Sequence, residues 1–212
     1  MSRRSIIAGA AALAAAGGAH AQPSRASRFE IARFIEDVRR ARRETESQRA
    51  VETVLTRAVS DSAQVLAAFG EPTEVGVKEV FRAPDLTILN VIWSPYMVLM
   101  PHDHKMWASI GIYAGREDNI VWERHGQEVR AARATSVGER EVFSLPSDAV
   151  HSVTNPLRRL TCAIHIYGGD FFAAQRNEWD PETLRERPMD FEGVQRLFRE
   201  ANERFRGCDD AK

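Results

Sequence analysis

Two histidines flank a single residue in His102-Asp103-His104, and a third, His151, stands inside the run from Pro146 to Asn155. On an extended strand alternate side chains leave the same face, so His102 and His104 point one way and Asp103 the other. Two neutral ring nitrogens converging from one strand chelate a borderline divalent metal. An HxH pair alone arises by chance in many proteins, and a third histidine raises its value. A rolled antiparallel barrel brings a late strand beside an early one, and small barrels carry their sites at the mouth. By the same alternation, Ala163, His165 and Tyr167 share one face of the run Ala163-Ile164-His165-Ile166-Tyr167. His125, followed by Gly126, reads as a hairpin-tip residue.

These residues need a frame to meet, and the apolar pattern supplies one. Phe29, Ile31, Phe34, Ile35 and Val38 recur at helical spacing. Val51, Val54, Leu55 and Ala58 form a second helical face, and Gly70-Glu71-Pro72 ends this region at about residue 70. From about Val75 the pattern changes to strands: Leu86–Trp93, Ala108–Tyr113, Ile120–Trp122, Glu141–Leu145 and Leu160–Tyr167. Pro84-Asp85, Gly115, Asp118-Asn119, Gly126, Gly138, Pro146 and Asn155-Pro156 punctuate them. Many short strands at this spacing predict a sandwich or barrel rather than a parallel α/β sheet. The expected division is helical over 27–70 and barrel over 75–175. A helical or loop extension follows over 176–212.

The chain has 212 residues, enough for one domain with a sizeable core and no disulfide support. Its 29 basic and 30 acidic residues leave a net charge of −1, and no Gly-rich phosphate loop is present. The basic run from Arg39 to Arg43 has acidic neighbours, so nucleic acid is not an expected partner. Cys162 lies in an apolar run and Cys208 in a polar one, and a bridge between them is not expected. Residues 1–21 combine Arg3-Arg4, a mild apolar run and the ending Ala19-His20-Ala21, in the order of an export signal. The arginine pair resembles a twin-arginine signal, which places the mature chain in the periplasm; the alternative is cytoplasmic. That apolar run is short of the about 20 residues of a membrane span, so no stable insertion is expected after cleavage.

Taken together, the HxH strand, Gly115, Gly138 and the run from Pro146 through His151 to Asn155 are similar to the paired motifs of cupins. That resemblance implies a mainly β, cupin-type double-stranded β-helix, a jelly-roll barrel with N-terminal helices and a short C-terminal helical segment. Asp148 stands where cupins usually have glycine, and the usual glutamate after the second histidine is missing. Three histidines without that glutamate resemble the cysteine-dioxygenase branch. Pro101-His102-Asp103-His104 followed by Trp107 and Gly111 resembles the bacterial thiol dioxygenases in particular. The match spans roughly Phe81 to Phe171.

From this resemblance follow the expected roles. His102, His104 and His151 would hold Fe(II), with Zn(II) or another divalent metal as the alternative. His165 and Tyr167 match a Ser-x-His-x-Tyr run beside the iron, with Ala163 replacing the serine and shortening the hydrogen-bonded chain. Arg82 stands where an arginine binds the substrate carboxylate, or else is a surface arginine at a strand edge. The implied activity is oxidation of a small thiol to a sulfinate with O2. The rivals are a non-catalytic metal-binding barrel, such as a sensor, and a zinc hydrolase.

Overall fold

A computed structural model describes residues 28–209; residues 1–21, with the Arg3-Arg4 pair, lie outside them, as does the Cys208 side chain. Three helices come first: α1 (Ile31–Ala41), α2 (Ser47–Val59) and α3 (Ser62–Phe69). Phe34, Val38 and Ala41 are the buried stripe of α1, and Val51, Leu55 and Val59 that of α2. Two helices were expected where three form. Asp61 ends one and caps the next, its carboxylate accepting from the Gln64 amide at 3.3 Å.

Eleven strands follow among the described residues. They are β1 (Gly76–Ala83), β2 (Leu86–Trp93), β3 (Val98–Asp103), β4 (Ala108–Ala114), β5 (Arg116–His125) and β6 (Glu128–Gly138). After these come β7 (Val142–Leu145), β8 (Val150–Thr154), β9 (Thr161–Tyr167), β10 (Asn177–Trp179) and β11 (Glu186–Pro188). Helix α4 (Phe191–Asp209) closes the described chain. One sheet has the order β1-β2-β9-β4-β7 and the other β11-β10-β3-β8-β5-β6. Every pairing is antiparallel.

The pairing has a simple origin. Strand β2 pairs with β9, β3 with β8, β4 with β7 and β5 with β6, as in one long hairpin. Rolling that hairpin up puts β9 beside β4 and β8 beside β5, which are the remaining contacts of the core. Two facing sheets of four strands result, and this is the jelly-roll, or double-stranded β-helix. His125 sits at the hairpin's tip, where Gly126 takes a positive φ of 66°.

Strand β2 is buried along its whole length, which explains why it is apolar on both faces apart from Thr87 and Asn90. Its Leu89, Val91 and Trp93 face the barrel interior, while Ile88 and Ile92 pack against the three N-terminal helices. Helix α2 lies so close to β4 that a Cβ at Gly111 would come within 2.9 Å of Leu55 and Val59 side chains. Asp118-Asn119, expected at a turn, lies inside β5 instead, because the β5–β6 hairpin is longer than its apolar centre. Asn155 holds the turn after β8: its amide donates to the Ser94 and Arg159 carbonyls, and its oxygen accepts from Thr161 and Leu157.

Beyond β9 the chain crosses the barrel mouth. Strand β10 adds to the second sheet by pairing Glu178 with His102. Helix α4 then returns over the opening, with Val194, Leu197, Phe198, Ala201 and Phe205 packed on the interior cluster. The Asn202 side chain exchanges two hydrogen bonds, of 2.6 and 2.7 Å, with the Val75 backbone. Among the described residues no helix is long and apolar enough to cross a membrane.

Candidate metal centre

Strand β3 carries His102 and, one residue past its end, His104, both turned inward, with Asp103 between them turned away. The β3–β8 register sets His151 directly opposite His102, because these strands are partners in the rolled hairpin. His104 Nε2 lies 3.2 Å from His102 Nε2 and 3.3 Å from His151 Nε2. All three residues are buried, with 2–4% of their surface exposed. The structure thus brings together the three expected ligands.

The other ring nitrogens explain why these faces converge. His102 Nδ1–H donates to the Met100 carbonyl at 2.9 Å, and His151 Nδ1–H donates to Asn119 Oδ1 at 2.9 Å. Each bond fixes the tautomer that leaves the Nε2 lone pair facing the cavity. Metal–nitrogen bonds of about 2.1 Å at right-angled to tetrahedral angles span edges of about 3.0–3.4 Å. The observed separations fall in that range, so the donor set fits one divalent ion. Among the described residues the three histidines are the group placed to hold a metal.

Burial lowers the His102 pKa to about 4, the Met100 carbonyl pulling part of the way back. Burial also drives His104 and His151 well below the usual range, and the neighbouring imidazoles add to the effect. Neutral rings are the state a metal needs. In the unfolded chain the same groups titrate near 6.5, so the unfolded state binds more protons below that pH. The metal-free protein is therefore fully stable with respect to these groups above about pH 6.5 and loses stability as pH falls toward 4. The expected slope approaches about 1.4 kcal/mol per pH unit for each histidine. Urea midpoints measured in chelator across this window check it, and a flat profile would contradict buried neutral histidines.

Beside the trio lies a second buried chain. The Glu117 Oε1 atom accepts from the Trp93 indole at 2.6 Å and from His165 Nε2 at 3.2 Å. His165 Nδ1 then accepts from the Tyr167 hydroxyl at 3.1 Å, and the Tyr167 ring meets His104 edge-on with centroids 5.0 Å apart. The expectation of a shortened chain at Ala163 is corrected: Glu117, fully buried on β5, takes the far side of His165. Burial keeps Tyr167 a phenol, pushing its pKa up against the pull of Arg176.

Arg82 is the expected site residue that does not join this group. Its guanidinium forms a two-pronged ion pair with Asp170, both contacts 2.9 Å, on the outer edge of β1, and it does not line the cavity. Arg82 stands opposite Thr87 in the β1–β2 register, and the ion pair with Asp170 takes up its guanidinium. Arg176, just before β10, lines the cavity instead. It is 6% exposed, its guanidinium sits 3.7 Å from the Phe171 ring centroid, and its Nε has no hydrogen-bond partner. Burial lowers its pKa from the ordinary value. Its placement comes from Asp103, whose buried carboxylate accepts from the Asn177 amide at 3.0 Å and from Arg124 at 2.7 Å.

No protein-family model matches the chain. Solved structures with similar folds include an RmlC-like cupin with a double-stranded β-helix from Methanocaldococcus jannaschii. It is 10% identical, with a TM-score of 0.39 over 48% of this chain and 86% of that one. The cupin domain of Schizosaccharomyces pombe Cnp3 is 16% identical, with a TM-score of 0.36 over 45% and 65%. A mutant of Bacillus subtilis oxalate decarboxylase is 19% identical, with a TM-score of 0.37 over 43% of this chain and 23% of that one. The fold assignment rests on the strand order described above, and solved cupins are among the structures the barrel resembles.

Proposed function

We propose that this chain is an Fe(II)-dependent dioxygenase that oxidises a thiol bearing a carboxylate to the sulfinate. The observation that carries the reading is the convergence of three Nε2 atoms with the Tyr167–His165 pair against them. Fe(II) held by the three imidazoles would supply the Lewis-acid and redox chemistry by which a thiolate combines with O2. The equation balances without a further reductant, since both oxygen atoms end on sulfur. Three neutral ligands leave the ion's full charge to attract an anionic sulfur.

The chain's own residues supply the rest. Arg176 offers a permanent cation, free of carboxylate partners on the cavity wall, to the substrate's carboxylate. The Tyr167 hydroxyl, held by His165, presents its remaining lone pairs to the reacting end. Phe171 packs on both Tyr167 and Arg176, keeping water from the space between head group and metal.

Oxygen uptake and sulfinate formation by Fe(II)-loaded protein across a panel of thiol acids is the test. Arg176→Gln is expected to raise KM by roughly 10- to 100-fold, the worth of a charged hydrogen bond, with kcat less affected. Arg176→Lys recovers only part of it, since an ammonium lacks the planar fork. Metal binding without oxygen consumption for any thiol would make the protein a binding barrel. Zinc in protein purified without added metal, with hydrolysis in place of oxidation, would overturn the reading in favour of a hydrolase.

A further inference from the structure

The cavity beside the metal centre is larger and more apolar than a small thiol acid requires. It has a volume of about 430 Å³. At the roughly 30 Å³ that one water occupies, a molecule of seven heavy atoms would fill roughly half of it. The three histidines, His165, Tyr167 and Arg176 gather on one side, while Val77, Leu89, Val91, Leu99, Val194 and Phe198 form much of the remainder. Gln195, Arg199 and Asn202 are the polar lining groups from α4, and no Asp or Glu lines the space among the described residues.

Two features of this space point to a ligand. The Arg176 guanidinium is buried, aimed into the cavity and lacks a hydrogen bond at Nε. Arg199 is exposed, so the buried guanidinium of Arg176 matches one negative charge, as of a carboxylate, rather than the two of a phosphate monoester. Much of the apolar wall comes from the inner faces of β1 and β2 and from the underside of α4. Such a surface rewards an apolar occupant in proportion to the area that it covers.

We propose that the site's natural ligand is an amphiphilic acid. Its carboxylate sits on Arg176, and an aliphatic or aromatic body of about six or more carbons lies beneath α4. The inference shares Arg176 with the dioxygenase reading but needs neither metal nor oxygen, so either can fail while the other stands.

Calorimetric titration of the metal-free full chain with straight-chain carboxylates from acetate to decanoate tests it. Affinity is expected to tighten about three- to fourfold per added methylene until the cavity is full, then to level off. The primary alcohol of the best-bound length should bind at least roughly tenfold more weakly than the acid. Arg176→Gln should erase that preference while keeping the dependence on chain length. Val194→Trp, which fills the space under α4, should shift the optimum to shorter acids. An affinity that does not change with chain length in the parent protein would overturn the apolar-body claim, whatever the variants do. An alcohol that binds as tightly as its acid would overturn the carboxylate claim.

Discussion

A His151→Ala protein is expected to bind Fe(II) or Zn(II) at least about 100-fold more weakly than the parent. The basis is the geometry of the trio: His151 is the one ligand from β8, and without it the remaining pair comes from β3 alone. Losing a partner that merely orients a ligand costs roughly 10–100-fold, so losing the ligand itself costs more. Asn119→Ala, which frees His151 Nδ1 but leaves the ring in place, should fall in that lower range. Competition against a chromophoric chelator measures both. The metal-free variant is expected to remain folded, because removing one of three crowded, buried imidazoles also removes the cost of keeping it dry. Full-strength binding by His151→Ala would show that the β3 pair holds metal alone, and the three-histidine centre would be wrong.

The next largest effect is expected at Glu117. Its carboxylate receives two N–H donors, from Trp93 and His165, in a fully buried position. With His165 Nε2 as donor, Nδ1 is obliged to accept, and the Tyr167 hydrogen points at the imidazole. Glu117→Leu removes the acceptor and strands two buried donors, at about 1–3 kcal/mol each. It is therefore expected to lower the urea midpoint and to shift His165 toward the other tautomer. Nitrogen-15 shifts of the His165 ring in metal-free protein read the tautomer directly. Glu117→Gln keeps an oxygen for both donors, loses the charge and puts an NH2 where Oε2 has no partner. It should keep the tautomer and the fold but lower kcat by roughly 10-fold, with KM nearly unchanged. A Glu117→Leu protein with an unchanged tautomer would show that Glu117 does not act through His165.

The histidine trio was legible because strand alternation is a local rule. His102 and His104 share a face at a separation of two residues, whatever the fold, and a rolled hairpin then needs only one partner strand to bring His151 across. The same rule gave Ala163, His165 and Tyr167 their common face. Glu117 was not legible. It belongs to the polar run Arg116-Glu117-Asp118-Asn119, whose composition is that of a turn, and its burial comes only from β5 closing against the rest of the barrel. Asn119 was hidden by the same run. Arg176 follows the last core strand in a segment without periodicity, so nothing local fixes which way it points. For Arg82 the expectation was either a carboxylate-binding residue or a surface arginine at a strand edge, and in the structure it lies in β1, where Asp170, distant in sequence, claims the guanidinium. The division of the N-terminal region into three helices rather than two turned on one cap at Asp61.

Asp103 occupies the position between His102 and His104, and its carboxylate grips the amide next to Arg176. One strand therefore sets the spacing between the histidine cluster and Arg176, through this bond on its reverse side and the pairing of His102 with Glu178. The roof over the cavity belongs to α4, which is fastened separately, through Asn202 to Val75. Under the proposed reading, changes in the roof would alter the length of acid the cavity accepts, while the span from Arg176 to the histidine cluster stays fixed by β3.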